Sequence, residues 1–205
     1  MKPFNWINHL EPAKGPPPNN TLSFLKWSLS GSFKILSISG MLSILTGITE
    51  VSAVLLLGLL IDAALNSSVD NPLGNNVFLF SAGLMFFLLI RPIIFGCSSY
   101  MQSVIVTPNI FNLVLSRIHR WCIGHSIPFF ENDFAGRIAQ KEMQTARAVT
   151  DVVVEILQTV LFALASLIGA ALMLLSVNIT LAIALIIWLI FYMFLIFFGE
   201  GFIIT

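Results

Sequence analysis

Four runs of mostly apolar residues, each long enough to cross a bilayer, constrain this chain more than anything else in it. They lie at about 33–62, 77–107, 156–176 ("ILQTVLFALASLIGAALMLLS") and 179–198 ("ITLAIALIIWLIFYMFLIFF"). About 20 helical residues at 1.5 Å each cover the ~30 Å of hydrocarbon in a membrane. Strands fail on length and on the absence of alternation. The expected fold is therefore an all-α membrane protein, a polytopic bundle of four transmembrane helices. A mean hydropathy of +0.93 over 205 residues excludes an ordinary soluble domain. The zero net charge excludes the electrostatic footprint of a nucleic-acid binder. Cys97 and Cys122 form no CxxC pair and imply free thiols.

The ten Lys and Arg residues predict an orientation. Lys2, Lys14, Lys26 and Lys34 precede or open the first span. Arg117, Arg120, Arg137, Lys141 and Arg147 lie between the second and third. The segment 63–76 and the turn "SVN" have none, and only Arg91 falls inside a span. This pattern predicts a cytoplasmic N-terminus, an outer first loop, a cytoplasmic middle segment and an outer second turn. Residues 1–20, broken by Pro12, Pro16, Pro17 and Pro18, read as a cytoplasmic tail. Residues 21–32 contain "TLSFLKWSLS", which suits a short helix lying in the membrane interface. Residues 33–205 form the membrane domain.

The middle segment, 108–155, keeps helical patterning in water. Phe111, Val114, Leu115, Ile118 and Trp121 recur on one face. So do Ile138, Met143, Ala146, Val149, Val153 and Ile156, with Arg137, Lys141, Arg147, Asp151 and Glu155 on another. Arg147 and Asp151 are spaced to pair. Both spans should extend some 16–22 residues, roughly 25–30 Å, as a cytoplasmic helical hairpin. Gly124 is expected to end the descending helix in a left-handed conformation, and Asn132 or Asp133 to cap the ascending one. Between them "IPFFEND" predicts a short transverse helix offering Ile127, Phe129 and Phe130 to a partner, or folding them back onto the hairpin.

The stretch "PFFENDFAGRIAQKEMQTARAV" resembles the first intracellular loop of ATP-binding-cassette (ABC) exporters of the bacterial multidrug and lipid type. Phe129, Phe130, Gly136, Arg137 and Lys141 carry the likeness. Thr145 stands where such exporters often have Asp. The resemblance covers roughly residues 20–198. It implies that Ile127, Phe129, Phe130, Glu131, Asp133, Gly136 and Arg137 form a coupling helix and its surroundings, seated in a nucleotide-binding domain. It also implies a second transmembrane half as partner, a transported substrate, and a bacterial inner or plasma membrane location. ATP and Mg²⁺ would belong to that nucleotide-binding domain, because no GxxxxGK[ST] or other glycine-rich phosphate cradle occurs here. This chain itself is expected to hold no cofactor. Because "GEGFIIT" follows the fourth span directly, the expectation is an N-terminal part of an exporter, a truncated product or a partial sequence. A stand-alone four-span scaffold or regulator, or an inactive fragment, is the alternative.

Glu50 and Arg91 are the charges deep in the spans. In an antiparallel hairpin they lie at matching depths, about 18 and 21 Å from the outer ends. Charges there are costly, so they are expected to pair or to face a water-filled cavity and its substrate together, with separate solvation near Pro92 as the alternative. His119, Cys122 and His125 recur every three residues but have no fourth ligand, so no metal is expected. Ala165, Gly169 and Met173 form a small-residue stripe suited to close helix packing.

Overall fold

The computed structural model describes residues 11–13, 15–67, 76–131 and 135–203, and the side chains among these except 131, 135 and 197–203. It is helical throughout, with no strand among the described residues. Helix α1 spans Thr21–Ser28 and α2 spans Phe33–Leu65. Helix α3 runs unbroken from Val77 to Ile123, and the short α4 is Ile127–Glu131. Helix α5 runs through Ala135–Glu155, Ile156–Val160 and Leu161–Val177, and α6 is Ile179–Ile203. Four helices are thus long and apolar enough to cross a membrane, and they form a helical bundle. Most of their outward side chains are large and apolar, as a lipid-facing surface requires.

Gly31 makes the turn from α1 to α2 at φ +86°, a conformation that disfavours any residue with a Cβ. A single extended residue, Asn178, joins α5 to α6, and its Oδ1 accepts a bond from Thr180 N at 2.9 Å. Inside the bundle, α2 packs along the membrane half of α5. The small-residue stripe does serve this contact. A Cβ on Gly47 would sit 2.7 Å from the Phe162 carbonyl oxygen and 2.8 Å from Ala165 Cβ, and one on Gly169 would sit 3.0 Å from Val51. Without water to expel, helices in lipid associate through such close van der Waals fits.

Both long helices contain π-helical turns. In α3 these are Phe86–Ile90 and Met101–Val106. Each includes the carbonyl, of Leu88 or Val104, that a downstream proline leaves without an i+4 donor: Pro92 and Pro108 respectively. The helix stays continuous by widening its hydrogen-bonded turn there, and Thr107 Oγ1 donates back to the Gln102 carbonyl at 2.9 Å. The π turn of α5, Ile156–Val160, has no such proline.

Beyond the spans, Thr107–Ile123 packs along Ala135–Glu155 as a helical hairpin. Its seam follows the expected stripes in part, with Phe111, Leu115 and Ile118 packed against its edge. Ile110, Leu113, Val114 and Arg117 are buried from α3, and Ile138, Glu142, Ala146, Val149 and Val153 from α5. Trp121, Met143 and Ile156 are exposed instead. Two charges take seam positions because each finds partners there. The Glu142 carboxylate accepts from His119 Nδ1 at 3.0 Å and from the Cys122 thiol. Arg117, 4% exposed, donates from Nη1 to the carbonyls of Trp27 (3.0 Å) and Ser28 (2.8 Å), from Nη2 to Ser30 (2.8 Å) and from Nε to Glu11 (3.3 Å). The oxygens of Trp27, Ser28 and Ser30 lie at the negative C-terminal end of α1, so a cation from α3 caps α1 and ties it to the hairpin. Arg147 and Asp151 form no ion pair, since each points to solvent.

Gly47→Leu is expected to wedge α2 from α5 at a cost of about 1–3 kcal/mol, read as a lower unfolding temperature in detergent, with Gly58→Leu, where open space surrounds the glycine, as the neutral control. Arg117→Ala leaves peptide oxygens without their donor and should release α1, read as faster hydrogen exchange across Thr21–Ser28, with Arg117→Lys intermediate.

Candidate functional site

Two places concentrate polar or aromatic chemistry that the bundle does not need for its own packing. The first is the hairpin tip. Helix α3 ends in a tight turn, Gly124 N to Trp121 O at 3.2 Å and His125 N to Cys122 O at 3.1 Å. Gly124 has φ −72°, right-handed rather than left-handed as expected, because these i→i+3 bonds close the helix without a left-handed residue. The Ser126 carbonyl then accepts from Phe129 N at 3.0 Å, opening α4 across the end of the hairpin.

Rings stack along this turn. Trp121 meets His125 edge-on at 5.3 Å, His125 lies against Phe129 at 4.6 Å, and Phe129 meets Phe130 edge-on at 5.2 Å. His125 Nδ1 is 3.0 Å from the Trp121 carbonyl, which only accepts, so that nitrogen carries the proton. The stacking steadies the phenylalanines without hiding them. Phe129 and Phe130 are 40% and 39% exposed, and Ile127 is 74% exposed. The rings therefore pack locally and still present an apolar cap. Gly136 and Arg137 are exposed on the first turn of α5. Asp133 and Asn132 lie outside the described residues, as does the side chain of Glu131.

The second place is inside the membrane span. Arg91 Nη2 donates to both carboxylate oxygens of Glu50, at 2.8 and 3.1 Å. Arg91 begins the helical turn that follows the first π segment, with Pro92 next, and its guanidinium also lies over the Phe95 ring, 5.7 Å from the centroid. The pair is a little over one-third exposed. Glu50 lines an apolar groove of about 520 Å³ between α2 and α5, together with Val51, Val54, Ala163 and Leu167. A paired carboxylate in the wall of an apolar groove suits an amphipathic molecule.

His119, Cys122 and His125 do not converge. His119 and Cys122 turn to Glu142 while His125 turns to its own helix. No cluster of three or more metal-ligating side chains occurs among the described residues. The buried roles of Arg117 and Glu142 escape a reading of periodicity, which assigns charges to the wet face. The one available signal was that each sits i+3 or i+4 from an apolar seam residue, Val114 or Ile138.

If the Glu50–Arg91 contact supports insertion, Glu50→Gln and Arg91→Gln should each lower the membrane-inserted yield, and the swap Glu50→Arg with Arg91→Glu should recover most of it. Quantitative blotting of the membrane fraction reads the outcome, and a swap no better than the single variants excludes pairing as the cause.

No protein-family model matches the chain, and no solved structure matches it. Among curated proteins it is similar to an uncharacterized ABC transporter ATP-binding protein of Haemophilus influenzae, 26% identical over 197 residues, which are 93% of this chain and 32% of that protein. The chain thus spans about a third of the length of the curated relative it matches. A membrane-type helical bundle and a distant ABC-transporter relationship therefore coincide in one chain.

Proposed function

We propose that this chain is part of the membrane-spanning domain of an ABC exporter in a bacterial inner or plasma membrane, and that its hairpin tip is a coupling helix gripped by a nucleotide-binding domain. The observation that carries this reading is the pair of unbroken helices, Val77–Ile123 and the hairpin arm of α5, which join at an aromatic-capped turn. The similarity to an ABC transporter ATP-binding protein supports it.

In this reading ATP and Mg²⁺ are held by the partner domain, and the chain's own residues transmit force. Ile127, Phe129 and Phe130 fill an apolar groove of that domain. Glu131, Asp133, Gly136 and Arg137 surround the contact. The 17 residues from Thr107 to Ile123 give a lever of roughly 25 Å at 1.5 Å per residue. Because α3 and α5 are continuous through the membrane boundary, displacement at the tip tilts their membrane portions as well. Rocking against a second transmembrane half then alternates access to a cavity in which Glu50 and Arg91 meet the substrate. The lysine and arginine distribution supports a cytoplasmic side for the tip.

Two measurements test the proposal. In cells, a cysteine at Ser67 should react with an impermeant maleimide from outside and a cysteine at His125 only after permeabilisation; the reverse pattern removes the coupling role. In vesicles, Phe130→Cys should form a crosslink to cysteines in the groove of an added ABC ATPase domain. The Phe129→Ala variant should weaken capture at least about tenfold, the scale of one interface anchor of about 2 kcal/mol. Capture unchanged by Phe129→Ala and Ile127→Ala together counts against docking through the tip.

A further inference from the structure

A cavity of about 250 Å³ lies between α2, α3 and α5, and its chemistry differs from that of the groove beside Glu50. Its walls hold hydroxyl and amide groups and no charged side chain. Gln102 belongs to the second π turn of α3 and Gln158 to the π turn of α5. Two separate irregularities of the backbone thus bring an amide each to one space. Gln102 is 4% exposed and donates from Nε2 to Ser43 Oγ at 3.1 Å. Ser43 in turn donates to the Ser39 carbonyl at 3.1 Å.

Among the remaining wall groups, Thr46 is satisfied one turn back, whereas Ser98, Ser99 and Gln158 are not. Ser43, Thr46, Thr49, Ser52, Ser81, Ser166 and Ser176 return their hydroxyl protons to carbonyls one turn back. Ser98 is buried and makes no such bond, and Ser99 and Gln158, on the open side of the cavity, make none to any described residue. Polar groups left without partners in a membrane span cost several kcal/mol each unless water or a ligand meets them. At ~30 Å³ per water the space holds roughly eight. Phe95 and Phe162 supply flat apolar walls on the same cavity.

We infer that this cavity binds an uncharged, multiply hydroxylated group, the sugar-like or polyol part of a free solute or of a lipid. Amides and hydroxyls each donate and accept, so they match hydroxyl groups in either sense. Phenyl faces suit the C–H faces of a sugar ring. An ion finds no counter-charge in the walls, and the Phe95 ring already lies beneath the Arg91 guanidinium. This site rests on the transporter reading only in identifying the bound group as cargo; binding itself needs no ATPase.

The test uses the full chain in phosphatidylcholine nanodiscs, with Cys97→Ala and Cys122→Ala as background and Ser98→Cys as reporter. The rate of labelling by a small neutral methanethiosulfonate is measured with glucose, octyl glucoside, octyltrimethylammonium or octyl sulfate, each below its micelle-forming concentration. Octyl glucoside should slow labelling at least about fivefold, while the cationic and anionic amphiphiles leave it unchanged. Protection by glucose as well indicates a soluble source, and protection by octyl glucoside alone a membrane-borne one. Gln158→Leu removes no internal hydrogen bond and should abolish most of the protection without lowering the unfolding temperature. A lipid-facing reporter, Leu57→Cys, should show no protection. An unreactive Ser98→Cys, equal protection by either charged amphiphile, no protection by either sugar, or full protection in Gln158→Leu overturns the inference. Failure here leaves capture at the hairpin tip unaffected, and failure of capture leaves this binding unaffected.

Discussion

In hydrocarbon a peptide group has no solvent to bond, and this constraint shapes every long element of the structure. It forbids the chain from breaking α3 at Pro92 or Pro108, although each proline removes a donor. The backbone responds by widening to π turns and continuing. The same constraint makes α2 and α5 rely on contact rather than on expelled water, so glycine at position 47 sets how closely two backbones approach. The result is a pair of long rods, widened at defined places and running out to a tip beyond the bundle.

The spans were legible because about 20 apolar residues in a row leave few alternatives. The hairpin was legible too, since its patterning persists after the apolar runs end. The exact seam was not. Periodicity ranks faces by hydrophobicity, and it gives no reason to bury Arg117 or Glu142. Arg117 is buried because its partners are peptide oxygens some 90 positions earlier in the chain, which no local pattern encodes. Trp121 looked like a core residue, yet it is partly exposed because it stacks on His125 at the turn. Gly124 suggested a left-handed stop, but a tight i→i+3 closure satisfied the same carbonyls.

The polar interior illustrates a related limit. Glu50 and Arg91 drew notice because charges stand out in apolar runs, and their equal depth suggested contact. Gln102, Gln158, Ser98 and Ser99 are weaker signals, each tolerable alone in a membrane helix. Their convergence depends on the phase shift that a π turn introduces, which rotates every later residue relative to an ideal helix. A helical wheel drawn with constant pitch misplaces residues on either side of such a turn.

The seat of α1 on Arg117 has one more consequence. A guanidinium that grips main-chain carbonyls is indifferent to which side chains those residues carry. Provided the helix stops at the same place, the grip itself therefore does not select the side chains at 27, 28 and 30, although burial of Ser28 and the contacts of Trp27 do. A one-residue insertion before Gly31 would be worse than any single replacement, because it would turn the correct oxygens away from an unchanged cation.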